Sequence, residues 1–164
     1  MSDAGLEWLP AAVAVAACLV VGVAGGVLTV TGPWYHALRR PGWKPPDWAF
    51  GPIWTTIFAL TAISSVMTWN ASPDASFRTL LLSAYAVNAV LNIAWSGLFF
   101  RAERPDWAFV EVIFLWLSIL ALLLITARVS ANAAALLLPY LIWVGVAAFL
   151  NRAIVRLNGP FGRA

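Results

Sequence analysis

Asn88, Asn92, Trp95 and Phe99 recur at intervals of four, three and four residues. On a helix that spacing aligns two amides and two rings in one stripe. Trp143, Ala147 and Asn151 make a similar stripe further along, and Trp54 and Phe58 a shorter one. Such side chains stack and form hydrogen bonds; they are not proton-transfer groups. An asparagine turned towards lipid would leave its amide unsatisfied, so the stripes are expected to face the interior of a helix bundle. There Asn88 and Asn92 either tie helices together or border a cavity. Several large rings beside small Ala and Gly positions favour a cavity for a flat apolar ligand.

Other chemistry is poorly supplied. His36 is the single histidine and lies between apolar runs, so a metal site would lack partners and none is expected. A Ser/His/Asp arrangement is likewise unsupported. Cys18, the single cysteine, cannot form an internal disulfide and is read as a packed core thiol. Glu111 is the one charge well inside an apolar run, about one turn from its start, and is expected to snorkel to the interface. Without paired carboxylates or a buried Lys or Arg, ion-coupled transport lacks its usual groups. The basic residues form no stripe, so nucleic acid is not an expected partner. No cofactor is required.

The elements that must position these stripes follow from composition. Of 164 residues 62% are hydrophobic and only 10% charged, against about 25% charged in a soluble domain. Such a chain belongs in a bilayer. Five apolar runs, at about 9–30, 48–69, 78–100, 107–127 and 133–154, are each long enough to cross a hydrocarbon core of roughly 30 Å. The first is too long for a signal-peptide core and is preceded by Asp3 and Glu7 rather than by basic residues. The expected fold is therefore an all-α integral membrane protein, a five-transmembrane-helix bundle occupying residues 1–164 as one domain. Pro52 and Pro139 fall near the starts of the second and fifth spans, where a missing N–H does little harm. Trp8, Trp48, Trp69 and Trp107 sit at span ends, as interfacial anchors do. Eight of the ten Arg and Lys residues fall on one side, leaving Arg78 and Arg128 on the other. That asymmetry puts the N-terminus outside and the C-terminus in the cytoplasm. Gly22 and Gly26 form a GxxxG with Gly25 beside it, which marks either close helix packing, including a dimer seam, or room for a ligand.

Between the first two spans runs PGWKPPDWAFGPIWTT, residues 41–56. Its prolines fix backbone angles and its rings are expected to pack on themselves, giving a rigid lid over the cytoplasmic mouth of the bundle. The wider stretch WYHALRRPGWKPPDWAFGPIWTTIF, from Trp34 to Phe58, resembles the signature of the translocator protein family, also called the tryptophan-rich sensory protein or peripheral-type benzodiazepine receptor family. NIAWSGLFF (Asn92 to Phe100) and PYLIWVGVAAFLN (Pro139 to Asn151) are similar to its third and fifth helices. Arg40 stands where lysine is usual and Phe58 where tyrosine is common. In animal members a sterol-recognition motif of helix five needs a tyrosine shortly before a basic residue. LNRAIVR, Leu150 to Arg156, has none, and the loose match at Val30, Tyr35 and Arg39 is only a pattern.

The resemblance implies a bundle, usually a homodimer, that binds porphyrins such as protoporphyrin IX, and in some members sterols or synthetic isoquinoline and benzodiazepine ligands. By position it implies a pocket built from Tyr35 and Pro45 in the lid and Phe50, Trp54 and Phe58 on the second helix. Asn88, Asn92, Trp95 and Phe99 on the third helix and Trp143, Ala147 and Leu150 on the fifth complete it. The expected function is a receptor- or transporter-like membrane protein that regulates tetrapyrrole levels or signalling. Arg39, Arg40 and Lys44 would suit porphyrin propionates, or be solvated loop charges. One alternative is light- and oxygen-dependent porphyrin degradation with Trp54 and Trp143 as the redox-active indoles. Another is a sterol or lipid carrier.

Overall fold

The computed structural model describes residues 8–162. Asp3, Glu7 and Arg163, which entered the leader and orientation arguments, lie outside them. Every regular element is helical: α1 (Leu9–Leu28), α2 (Pro33–Ala37), α3 (Asp47–Asn70), α4 (Ala75–Ser96), a π-helical turn (Gly97–Arg101), α5 (Pro105–Ala127), α6 (Ala131–Ala135) and α7 (Leu138–Asn158). The chain is an integral membrane protein with five spans, Leu9–Leu28, Asp47–Asn70, Ala75–Arg101, Pro105–Ala127 and Ala131–Asn158. Local chemistry sets the ends. Pro10, Pro33, Pro105 and Pro139 open α1, α2, α5 and α7, where their missing N–H would have had no partner. Asp74 caps α4 by accepting the Phe77 N–H at 2.8 Å, and Ser130 caps α6 through the Ala133 N–H at 3.2 Å.

The fifth span departs from expectation. It is a short helix, a turn at Leu136–Leu137 and then α7, rather than one helix from residue 133. Pro139 explains the break, because it cannot donate to the Ala135 carbonyl and its ring collides with that turn. Pro52, by contrast, stays inside α3 as expected. Trp8, Trp48 and Trp107 are exposed at helix ends, and Arg78 lies 4.8 Å above the Trp69 ring.

Packing closes the helices into a ring. α1 lies against α3 and α4, α5 against α4 and α7, and α3 returns to α6 and α7. Ile57, Val112, Leu115, Ile119, Tyr140 and Val144 make the buried core where α3, α5 and α7 meet. A second cluster of Tyr35, Phe99, Ala108, Leu150 and Ile154 fills the end nearest the first loop. The contribution of α1 differs from the rest: none of its residues is buried. It forms a thin wall, and a cavity lies behind it.

Candidate functional site

That cavity measures about 790 Å³, within the range of about 300–1,000 Å³ typical of small-molecule sites. Of the residues expected at a pocket, Tyr35, Phe50, Trp54, Phe58, Asn92, Trp95, Trp143 and Ala147 line it. They come from the loop and from α3, α4 and α7, while α1 supplies the facing wall with Cys18, Gly22, Gly25 and Gly26. Cys18 is thus half-buried at the cavity rather than packed in the core. The rings are held before any ligand arrives. Trp54 stacks on Phe58 with centroids 5.4 Å apart and meets Tyr140 edge-on at 6.0 Å. Phe50 meets Trp143 edge-on at 5.4 Å, so α3 and α7 are joined through the aromatic wall.

The remaining expected residues stand behind or beside the lining. Asn88 is buried and donates to Ser118 Oγ at 2.9 Å while accepting the Tyr140 hydroxyl at 3.2 Å. Asn92 donates to the same Tyr140 oxygen at 2.8 Å. These bonds tie α4 to α5 and α7, so Asn88 serves as interhelical glue while Asn92 both ties and lines. Trp95 donates its indole N–H to Asn151 at 3.2 Å, and Asn151 donates to the Pro105 carbonyl at 2.8 Å. Leu150 is packed in the loop-side cluster. The Pro45 carbonyl accepts from Lys44 Nζ at 3.0 Å.

Phe99 and Phe100 are decided by the π-helical turn. A regular helix would place Phe99 beside Trp95 and swing Phe100 about 100° away. In the wider turn Phe99 stacks on Trp95 at 5.3 Å, and Phe100 still meets Trp95 edge-on at 6.0 Å. Phe99 is buried against Trp34, and Phe100 faces the cavity. Helical spacing could not have found Phe100, because nothing in GLFFR announces the extra residue in the turn.

The loop closes one end of the cavity. Its rings do not pack on themselves as expected: Trp43 and Trp48 are exposed. Order comes instead from ionic and hydrogen-bonded contacts around Asp47, the first residue of α3. Tyr35 donates to Asp47 Oδ1 at 2.8 Å, Lys44 bonds the same oxygen, and Arg40 approaches the other at 3.9 Å. Arg40 also donates to the Tyr35 carbonyl at 3.0 Å and lies over the Tyr35 ring at 4.4 Å. Burial, helped by the Asp47 carboxylate, pushes the Tyr35 phenol up to about 12. A reciprocal pair then pins the loop to α7: the Arg39 N–H donates to Asn158 Oδ1, and Asn158 Nδ2 donates to the Arg39 carbonyl, both at 2.8 Å.

Thr61, Tyr85, Glu111, Thr126 and Trp143 carry buried side-chain polar atoms without hydrogen-bond partners among the described residues, and two of these bear on the site. The Trp143 indole N–H is one. The other is Glu111, both of whose carboxyl oxygens are enclosed. The expectation that Glu111 would snorkel is corrected: the residue is half-buried, and both of its carboxyl oxygens lie enclosed within the bundle rather than at its surface. No group of three or more His, Cys, Asp or Glu that could hold a metal occurs among the described residues.

Residues 14–157 match the TspO/MBR family model. The chain is 38% identical over 154 residues to a "Tryptophan-rich protein TspO" of Chlorobaculum tepidum, covering 92% of this chain and 96% of the relative. It is 33% identical to "Protein CrtK" of Rhodobacter capsulatus, covering 87% and 88%. It is 37% identical to the "Translocator protein" of Sus scrofa, covering 76% and 75%.

Proposed function

Because this chain belongs to the TspO/MBR family of membrane proteins, we propose that it binds a porphyrin such as protoporphyrin IX in the aromatic cavity and acts as a tetrapyrrole receptor or transporter. The observation that carries this is the prearranged wall of Phe50, Trp54, Phe58, Trp95 and Trp143 around about 790 Å³. Rings fixed by one another present flat apolar faces without further ordering cost, which suits a planar macrocycle. At the loop end Arg40 and Lys44 share one carboxylate, Asp47, leaving an excess of positive charge for propionates. The proposal includes a homodimer with its N-terminus outside and its C-terminus in the cytoplasm. It requires no cofactor.

The test is a protoporphyrin titration followed by quenching of tryptophan fluorescence. Stacking on an aromatic side chain contributes about 1–3 kcal/mol, so Trp54→Ala is expected to weaken binding roughly 5- to 100-fold. Trp54→Phe should keep most of the affinity because a ring remains. Unchanged affinity in both Trp54→Ala and Trp143→Ala would move the ligand out of this cavity.

The presence of Trp54 and Trp143 on the wall of one cavity also favours a second function, oxidation of bound porphyrin by dioxygen under light. Phenylalanine does not readily form an indole-type radical, so Trp54→Phe would then bind yet stop photobleaching. Equal bleaching by the wild type, the variant and protein-free micelles would leave only the binder.

A further inference from the structure

On its outer side α7 borders a second, open groove of about 570 Å³, lined by Arg40, Trp43, Phe149, Arg152, Arg156 and Leu157 among others. It shares no lining residue with the aromatic cavity. Phe149, Arg152, Arg156 and Leu157 fall on one face of α7, at intervals of three, four and one. Arg40 and Trp43 reach that face because Asn158 holds the first loop against the end of α7. Arg152 and Arg156 stand one turn apart, a spacing at which like charges repel. Among the described residues neither has an acidic or hydrogen-bonding partner, whereas Arg40 is already engaged by Asp47 and the Tyr35 carbonyl. Phe149 and Leu157 are exposed large apolar side chains flanking these charges, and Trp43 is exposed beside them. Phe149 lies one turn deeper in the span than Arg152, on the hydrocarbon side.

Two unneutralised guanidinium groups at the membrane surface, with apolar surface running inward from them, match one chemical object. We propose that the groove binds an anionic glycerophospholipid of the surrounding leaflet. Its phosphate sits between Arg152 and Arg156 with Arg40 at the rim, and an acyl chain runs over Phe149. Guanidinium groups bind phosphate in a two-pronged geometry that a lone ammonium cannot reproduce. Basic pockets beside membrane helices hold anionic headgroups in this way. Charge complementarity selects the occupant: a second copy of this basic face, or a neutral sterol, would leave both arginines unpaired.

The full-length protein in nanodiscs of phosphatidylcholine and phosphatidylglycerol, released into native mass spectrometry, is expected to retain phosphatidylglycerol preferentially. Arg152→Gln/Arg156→Gln should lower that retention about 30-fold, the effect of two interfacial arginines. Arg152→Lys/Arg156→Lys should lose less, since the charge remains. Arg101→Gln removes a charge from the same side of the membrane but outside the groove, so it should cost less than Arg152→Gln alone. Protoporphyrin quenching and the melting temperature of the glutamine variant should match the wild type, which separates this site from the cavity and from misfolding. The proposal fails if Arg101→Gln costs as much as Arg152→Gln, because the attraction is then diffuse. It fails equally if phosphatidylcholine is retained as well as phosphatidylglycerol, or if inorganic phosphate displaces the lipid. A change of oligomeric state in the glutamine variant would show that another copy of the chain occupies the groove.

Discussion

Tyr35 shows how one side chain couples the loop to the bundle. Its ring is buried under Arg40, its hydroxyl donates to Asp47, and its carbonyl accepts from Arg40. With the phenol raised to about 12 from an ordinary value of about 10, the folded state favours the neutral form. Below pH about 10 both folded and unfolded chains keep the proton, so this contribution to stability is complete. Between about pH 10 and 12 only the unfolded chain releases it, and stability must fall as pH rises. Tyr35→Phe should therefore flatten the alkaline decline in melting temperature relative to wild type. An identical decline in both proteins would show that Tyr35 does not contribute it. Glu111 is the opposite case, a buried carboxyl with no partner among the described residues. Its enclosure carries a desolvation cost that nothing on α5 offsets.

At the scale of elements, the glycines of α1 separate into different roles. A Cβ on Gly22 would lie 3.3 Å from the Phe58 ring, which is itself stacked on Trp54. One on Gly25 would meet Ser96 Oγ at 3.6 Å, an ordinary contact, and one on Gly26 would meet nothing within 4 Å. Gly22 is thus where α1 approaches the aromatic wall, and Gly26 lines open space. Adding a methyl in a helix interior gains about 1 kcal/mol in helix propensity, whereas overpacking costs about 1–3 kcal/mol. Gly26→Ala is expected to raise the melting temperature slightly. Gly22→Ala should leave it unchanged or lower, and should weaken protoporphyrin binding several-fold by displacing Phe58. Equal thermal shifts and equal affinities in the two variants would contradict this division. The π-helical turn at the end of α4 acts at the same scale, since within it Phe100 faces the cavity while Phe99 packs against Trp34.

For the whole molecule, the ring of spans and the thin α1 wall leave one broad cavity between the lipid-facing surface and the α3, α4 and α7 core. The polar ties among Asn88, Asn92, Ser118 and Tyr140 brace α4, α5 and α7 without closing that space. Orientation is a property of the whole chain, because it depends on Arg and Lys summed over every loop. A reporter fused to the C-terminus is expected to be active only in the cytoplasm, and one at the N-terminus only outside. Activity in the reverse pattern would refute the assigned orientation.

The sequence by itself determined that this chain spans a membrane five times and which faces of its helices turn inward. Both follow from one-dimensional quantities: uncharged runs of sufficient length, and rings and amides repeating at helical intervals. Trp54, Phe58, Asn92, Trp95, Trp143 and Ala147 were all legible that way, and all line the cavity. Tertiary structure decided what spacing does not encode. Asn88 is drawn into a bond with Ser118, 30 residues distant, because the partner depends on how α4 and α5 are rotated. Phe100 gains the cavity through a local change of helical pitch, and the fifth span breaks before Pro139. Glu111 is enclosed where a snorkelling glutamate was expected, and Trp43 is left exposed where ring packing was expected. The placements of Asn88, Glu111 and Trp43 depend on segments remote in sequence, fixed only when the helices pack, whereas the turn at Phe100 and the break before Pro139 are local changes of backbone.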